Sequence, residues 1–538
     1  MNLSTGTKTE LSFKAAPFQF ADILNLETPG TYKGQDSGQL LQILQQPMEE
    51  ILKNFTIETV RGFASEPHIQ NLLSDIRSQR RADGSFNYSP IDYTDPIHRK
   101  TILPTELVAI INTPPLLRLA EVGQMTLMGH SRLAHSIGVA ILALRFAEKR
   151  NLPPQEKKEL ATIALLHDVG HGPYSHLYEK LYIRNKQDRF DHDQHREKLI
   201  NSIQLSNALK EIGVCPKMVV DALQDPSKNW MAYLAKEILD RVDYNSRDIF
   251  YSNCNDDYKS WIQAKSDALF KAIGYESGKI FFSAANSKTI ERFMAARRLS
   301  FNSLPYDSDR RLAESLISSS IRTQLANVPE DVRPKVVEAL SLFTDGQLNS
   351  LLGEKALKAL NTAHATNSVP TLLKLATEDL ANNCRGYKSI KPKEILQELS
   401  SLRTEHADIT WLVSIIPACS PAMSFKIKHA DEIKIIHKEL PEREAKNPRQ
   451  NGKQIGKICI AAYDQNGDFV PFSNDLNDAI INSFARKGWI YGREDEKVYT
   501  GWPGSFDHGS NFAFSEAPDG LEAEYHKLKH KPDRIETE

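Results

Sequence analysis

Leu165–His176 reads LLHDVGHGPYSH. Three histidines and an aspartate fall within this short stretch, interrupted by two glycines and a proline. The residues before it, PQEKKELATIALLHD, open with Pro154 in a first-turn position and place Leu160, Ile163, Ala164 and His167 on one helical face. His167 therefore points where the apolar residues point, into a core. An aspartate beside a buried imidazole is costly unless a cation or a partner compensates. Gly170 and Pro173 end the helix, so His171 and His176 return toward the same place on tight turns.

Working outward, SRLAHSIGVAILALRFAEKR puts His135, Gly138, Val139, Leu142 and Phe146 on one face of a second apolar helix. Taken alone, His135 reads as a core histidine with one hydrogen bond. In ILDRVDYNSRD, Asp240, Tyr244 and Asp248 share a helical stripe, which is either a solvated face or the source of a further carboxylate. Neutral imidazoles and carboxylates converging in this way suit a divalent ion: Mn, Mg, Fe or Zn.

The totals set the frame. The chain has 538 residues, 40% hydrophobic and 25% charged, as expected of a soluble globular protein with room for two or three domains. No apolar run approaches the roughly 20 residues that span a bilayer, and no signal peptide is read at the start. Five cysteines form no CxxC pair, which points to a reducing, cytoplasmic setting and away from a thiolate zinc site. A formal net charge of −2 does not indicate nucleic acid as a partner, although a local basic groove can hide in a neutral total. Histidine is the informative residue, because seven of 16 lie between His130 and His195.

The pattern divides the chain into a helical N-terminal segment (1–90), a helical core (91–420), an α+β C-terminal lobe (421–515) and a charged tail (516–538). Helices are expected around Ser37–Phe55 and His68–Arg80, and SPIDYTDPIH (Ser89–His98) reads as a connection punctuated by Pro and Asp. Thr105 to about Ile415 reads as overwhelmingly helical. Beyond Pro421, SFKIKHADEIKIIHKEL and GKICIAAYDQNGDFVPFS read as strands with a hairpin turn at Asn466-Gly467, and LNDAIINSFARKGW as a helix on that sheet. The fold class is mainly α, an all-helical core with a small α+β lobe.

The order His135, His167-Asp168, Asp240 resembles that of the HD-domain metal phosphohydrolases. Within that superfamily, HDVGHGPYSHLYE (His167–Glu179) is similar to the HDxGHxPFxHxxE signature of the deoxynucleoside triphosphate triphosphohydrolases. These are the bacterial dGTPases and the vertebrate enzymes with SAM and HD domains. DPIH (Asp95–His98), INTPPLLRL (Ile111–Leu119), SRLAHSIGV (Ser131–Val139) and DRVDYNSRD (Asp240–Asp248) resemble further strings of that family in order and spacing. The likeness runs from about Asp95 to Trp489, more faintly in the lobe around Lys446–Pro448, and residues 1–90 do not resemble a SAM domain.

The resemblance implies a metal set of His135, His167, Asp168 and Asp240, with Arg132 holding phosphate. It places His171, His176 and His192 in a network near the α-phosphate. His176 is then the acid for the departing 5′-oxygen, oriented by Glu179. Arg241, Tyr244, Arg298 and Tyr306 match residues that grip phosphates and wall off the sugar 2′ position, with Arg297 competing for the place of Arg298. Gln124 and Asp248 match groups that bind the 3′-hydroxyl, and Met125 stands beneath the 2′ carbon.

The implied activity is hydrolysis of dNTPs to deoxynucleoside and tripolyphosphate, controlling or depleting dNTP pools, which in some relatives is antiviral. The implied assembly is a homo-oligomer: dimer, tetramer or hexamer. Where relatives bind a regulatory guanine nucleotide, this chain has Asn112, Leu117 and Ala120, and Ile91 and Thr94 replace a Lys and an Asn. Either the enzyme needs no activator, or something else controls it, such as another regulatory nucleotide at a non-standard site or the N-terminal segment. Two other readings stay open: a phosphodiesterase, nucleotidase or single-strand nuclease with the same metal site, and a non-enzymatic nucleotide sensor.

Overall fold

The computed structural model describes residues 47–127, 129–181, 190–252, 254–303, 308–326, 333–366, 368–376, 392–402, 409–417, 423–429, 432–438, 455–471 and 473–487. The middle of the chain is organised by helix α1, Arg132–Lys149. Ser131 caps it, its side chain accepting from the Ala134 amide, and the run from Leu133 to Leu144 carries no Asp, Glu, Lys or Arg. Residues from Arg132 to Leu144 are all buried, so α1 is surrounded on every side. Each Leu, Ile or Phe buried here contributes about 1.5–3 kcal/mol. A polar residue on such a helix needs a partner of its own.

Helix α2, Pro154–Leu166, follows a short turn and packs along α1, burying Leu160–Leu166. Helices α3 (His176–Leu181) and α4 (His192–Ile200) come next. A π-helical stretch, Tyr233–Leu239, then runs into α5, Asp240–Phe250, which crosses α1. Helix α6, Ser287–Ser303, lies beside α5.

The segment before residue 90 belongs to the same core. Helix Pro67–Ser78 turns Ile69, Leu72, Leu73 and Ile76 into the cluster that also holds Leu116, Leu117 and Ile137. The SPIDYTDPIH connection is instead the first arm of a hairpin. Strand β1, Ile91–Asp95, pairs antiparallel with β2, Arg99–Leu103, Ile91 facing Leu103 and Asp95 facing Arg99. Ile91, Tyr93 and Asp95 are buried while Asp92 and Thr94 are exposed, the alternation of a half-buried strand. Asp95 Oδ1 closes the turn by accepting the amides of Ile97 and His98, both at 2.8 Å.

The sheets of the lobe begin earlier than residue 421. Strands β3 (Gly274–Glu276) and β4 (Lys279–Ser283) join β7 (Met423–His429) and β8 (Glu432–Lys438) in the order β3-β4-β7-β8. Strands β5 (Leu373–Ala376) and β6 (Thr410–Pro417) flank β9 (Ile455–Tyr463) in a second, antiparallel sheet. Helices Pro392–Ser400 and Asn474–Arg486 cover that sheet through Ile395, Leu399, Ile480, Ile481 and Phe484. The turn expected at Asn466-Gly467 is there, with Gly467 at φ 79° and the Asp464 amide on the Asp468 carbonyl at 2.9 Å. Lys446–Pro448 and the tail from 516 lie outside the described residues. No helix among the described residues is long and apolar enough to cross a membrane.

Candidate active site

His135 comes from the first turn of α1, His167 caps the end of α2, Asp168 follows it, and Asp240 opens α5. One donor atom from each lies within 4.8 Å of the other three. Asp240 Oδ1 is 3.0 Å from His135 Nε2 and 3.7 Å from His167 Nε2. The Asp168 oxygens are 3.6 Å and 3.5 Å from the same two nitrogens.

Both rings are turned so that Nε2 is the free atom. His167 Nδ1 donates to the Ala164 carbonyl at 2.7 Å, and His135 Nδ1 donates to Asp243 Oδ2 at 2.7 Å. Neither Nε2, though buried, makes a hydrogen bond. An orphaned imidazole nitrogen is rare unless something occupies the space in front of it. Burial would raise Asp168 and Asp240, but the flanking imidazoles, and Arg132 for Asp168, hold both well below the usual carboxylate range. Burial opposes charge on His135, yet Asp240 and Asp243 outweigh it and raise its pKa to about 10. The pocket calls for positive charge, and two free imidazole nitrogens with two carboxylates are the donor set a divalent metal takes.

Asp243 was not singled out from the sequence, yet it orients the whole centre. It accepts from His98 Nε2 at 2.6 Å as well as from His135, and from Arg247 Nε and Nη2, both at 2.9 Å. Arg247 also bonds Asp95 Oδ2 at 2.8 Å. Burial would raise the Asp243 carboxyl, but Arg247 and the two imidazoles hold it well below its usual range. A carboxylate behind a ligating histidine fixes the tautomer and makes the imidazole a better donor.

Gly138 is what lets this group reach α1. A Cβ there would lie 2.0 Å from Asp243 Oδ1 and 2.3 Å from Arg247 Nη2. Overpacking costs about 1–3 kcal/mol, while Ala gains roughly 1 kcal/mol over Gly as a helix former. The Gly138→Ala protein is therefore expected to melt within a few degrees of wild type yet to lose metal, read by elemental analysis. Undiminished metal content would show that Asp243 does not support the centre.

Next to this cluster sits a second one. Glu179 Oε1 accepts from His192 Nδ1 at 2.6 Å and from His176 Nδ1 at 3.0 Å. His171 stacks on His192 with centroids 4.2 Å apart, and its Nε2 is 3.5 Å from Asp168 Oδ1. Burial, then Arg132 and His192, push His171 well below its ordinary pKa, so it is neutral. Burial would raise Glu179, but its two histidine partners hold it below its usual range. Four donor atoms gather here as tightly as at the metal set. Glu179 Oε1 is already committed to two N–H donors. His176 is the outward member of the cluster, with 60% of its side chain exposed.

Residues 132–248 match the family pattern described as HD domain. The chain carries an HD domain. Uncharacterized protein MG461 of Mycoplasma genitalium is 31% identical over 164 residues, 27% of this chain and 38% of that protein. Uncharacterized protein YwfO of Bacillus subtilis is 29% identical over 30% of this chain and 40% of its own length. Deoxynucleoside triphosphate triphosphohydrolase SAMHD1 of Mus musculus is 30% identical over 145 residues, 23% of this chain and 22% of that protein. The chain thus spans two fifths or less of the length of these curated relatives. A hypothetical protein of known structure from Aquifex aeolicus overlays with a TM-score of 0.47 at 16% identity, over 73% of this chain and all of that one.

The structure also describes further expected residues, within the matched stretch and outside it. Arg132 bonds Asp168 through Nη1 and donates from Nε to Ser175 Oγ at 2.7 Å. Gln124 and Asp248 are joined by a residue that sequence reasoning missed, His130. The Gln124 amide donates to the His130 carbonyl at 3.0 Å, and His130 Nε2 donates to Asp248 Oδ1 at 3.0 Å. Burial lowers the His130 pKa and keeps the ring neutral, stacked on Tyr251. Gln124 Oε1 is buried and without a partner. Met125 is partly buried, with Arg310 Nη1 3.7 Å from its sulfur.

Arg241 pairs with Glu237 at 2.7 Å, leaving Nη1 buried and free of hydrogen bonds. Tyr244 accepts at its hydroxyl from Arg297 Nε at 2.6 Å. Arg297, the competitor of Arg298, thus contacts α5. Arg298 lies in α6 with its side chain outside the description, and Tyr306 lies outside the described residues.

Proposed function

We propose that this chain is an HD-domain phosphohydrolase that cleaves deoxynucleoside triphosphates to deoxynucleoside and tripolyphosphate. What supports this reading most directly is the free-Nε2 histidine and carboxylate set, with the Glu179–His176 pair beside it and the Gln124–His130–Asp248 chain ending on the same helix as Asp240. A divalent metal (Mn, Mg, Fe or Zn) held by His135, His167, Asp168 and Asp240 supplies Lewis-acid charge to a phosphate oxygen when bound.

The protein's own part follows from its side chains. Arg132 faces the phosphate with a fixed, planar array of donors. Water adds to the α-phosphorus as the bond to the 5′-oxygen breaks; that oxygen takes the proton from His176, and the proton the water gives up restores His176. Glu179 anchors the other ring nitrogen of His176, so the transferable proton sits on Nε2. Gln124 and Asp248 take the 3′-hydroxyl. The sequence resemblance assigns the 2′ side to Met125 and to Tyr306, which lies outside the described residues.

The deciding experiment incubates the protein with each dNTP and NTP, singly and mixed, with Mn²⁺ or Mg²⁺, and identifies products by mass. Deoxynucleoside with tripolyphosphate is the expected outcome. A monophosphate product, or cleavage of phosphodiesters with triphosphates untouched, would assign the site to another phosphate ester. A ribonucleotide would bury its 2′-hydroxyl without a partner at about 1–3 kcal/mol, so dNTPs should be favoured by at least about tenfold in kcat/KM. Tyr306→Ala should narrow that gap. Equal hydrolysis of ATP and dATP would show that the apolar wall is absent.

A further inference from the structure

The loop that carries His176 has an unusual backbone. Tyr174 and Ser175, neither of them glycine, both stand at φ 54°, in the left-handed region that side chains disfavour. Such residues persist only where surrounding contacts overdetermine them. The contacts come from a distant part of the chain. Asp345, at the start of the short helix Asp345–Asn349, accepts the Tyr174 amide at Oδ1, 2.6 Å away. Its other oxygen, Oδ2, accepts the Gly123 amide at 2.9 Å. Asn349, at the far end of the same helix, accepts the Tyr174 hydroxyl at 2.6 Å.

Gly123 immediately precedes Gln124 and Met125, and its carbonyl accepts from Ser175 Oγ at 2.6 Å. One buried carboxyl group therefore holds, on its two oxygens, the backbone just before Gln124 and the turn that leads to His176. The fit is close: a Cβ on residue 123 would come within 2.9 Å of Asp345 Oδ2. Arg118 braces the same junction, bonding the His171 carbonyl at 2.6 Å and the Ser341 carbonyl at 3.3 Å.

We infer that Asp345 is a positioning residue that sets the spacing between the nucleoside-binding turn and the proton donor His176. This rests on the dNTP reading of the site. It gives Asp345 no contact with substrate; its effect passes through the backbone of Gly123 and Tyr174. In Asp345→Asn, one of the two amide donors faces an NH₂ group and loses its acceptor. The junction loosens on one side while metal ligands stay in place.

The test separates proton delivery from binding. Wild type and Asp345→Asn are compared on a dNTP and on its analogue with sulfur in place of the bridging 5′-oxygen, whose thiolate leaves without prior protonation. With dNTP, kcat is expected to fall by about 10²-fold with metal content unchanged, the scale of a misplaced general acid. With the thio analogue the fall should stay below about threefold. Equal losses on both substrates would overturn the inference and leave Asp345 a purely structural residue. Gly123→Ala displaces the same carboxylate from the opposite side and should give the same split, so the test survives if Asp345→Asn folds poorly. If wild type ignores dNTPs but cleaves another alkyl phosphate ester, the dNTP reading fails, and the same oxygen-to-sulfur comparison on that ester decides the role of Asp345.

Discussion

Replacing His167 with alanine is expected to abolish turnover and metal binding while the helical core stays folded. His167 is buried at the end of α2, held by one hydrogen bond to the Ala164 carbonyl, so its loss removes no link between elements. What it removes is one of two free imidazole nitrogens facing Asp168 and Asp240. Loss of a mere supporting partner costs a metal site roughly 10–100-fold in affinity, and loss of a ligand should cost more. Elemental analysis after dialysis, with circular dichroism melting alongside, reads both halves. A variant with full metal occupancy and wild-type turnover would sink the ligand assignment.

Replacing His176 should leave metal content and melting untouched and cut turnover by about 10²–10⁴, the usual share of a general acid. The side chain is 60% exposed, so little packing is lost. Its partner Glu179 retains His192 at 2.6 Å and does not become an unpaired buried charge. The other two histidines are less available to a leaving group: His171 is neutral and packed face to face on His192, and His192 is only 17% exposed, with Asp193 Oδ1 3.4 Å from its Nε2. An effect of His176→Ala below about threefold would move the role to one of them.

The catalytic helices were legible because their signals are local. His135 and His167 sit in long apolar runs, and such runs are buried whichever way the helix turns. The support behind them was not legible. Asp243 and His98 are 145 residues apart, and Arg247 and Asp95 are 152 apart, so no window of sequence shows that these charges neutralise one another. In isolation each reads as a solvated helix charge or a turn residue. The hairpin at 91–103 was hidden for another reason. Proline and aspartate punctuation outweighed the period-two alternation of IDYTD, which the burial of Ile91, Tyr93 and Asp95 reveals.

In the lobe, TWLVSIIP continues the apolar character of the helical region. As a flanking strand paired with β9, it has no strict polar alternation to mark it. His130 was counted among the histidines and given no task, since its link between Gln124 and Asp248 exists only once α5 is folded against the loop before α1.

The Asp95–Arg247–Asp243–His98 cluster also decides how far the chain can be cut. The stretch that matches the HD pattern begins at Arg132, so it contains Arg247 and Asp243 but excludes Asp95 and His98. A fragment trimmed to that stretch would keep every metal ligand and still strand a guanidinium in the interior with half its counter-charge missing. Breaking a buried pair from one side costs about 3–5 kcal/mol, a large part of the stability of an ordinary domain. The ligands fit inside the matched stretch, but the electrostatic closure that holds them does not. Catalytic inventory and autonomous folding therefore have different borders in this protein, and the hairpin at 91–103 lies between them.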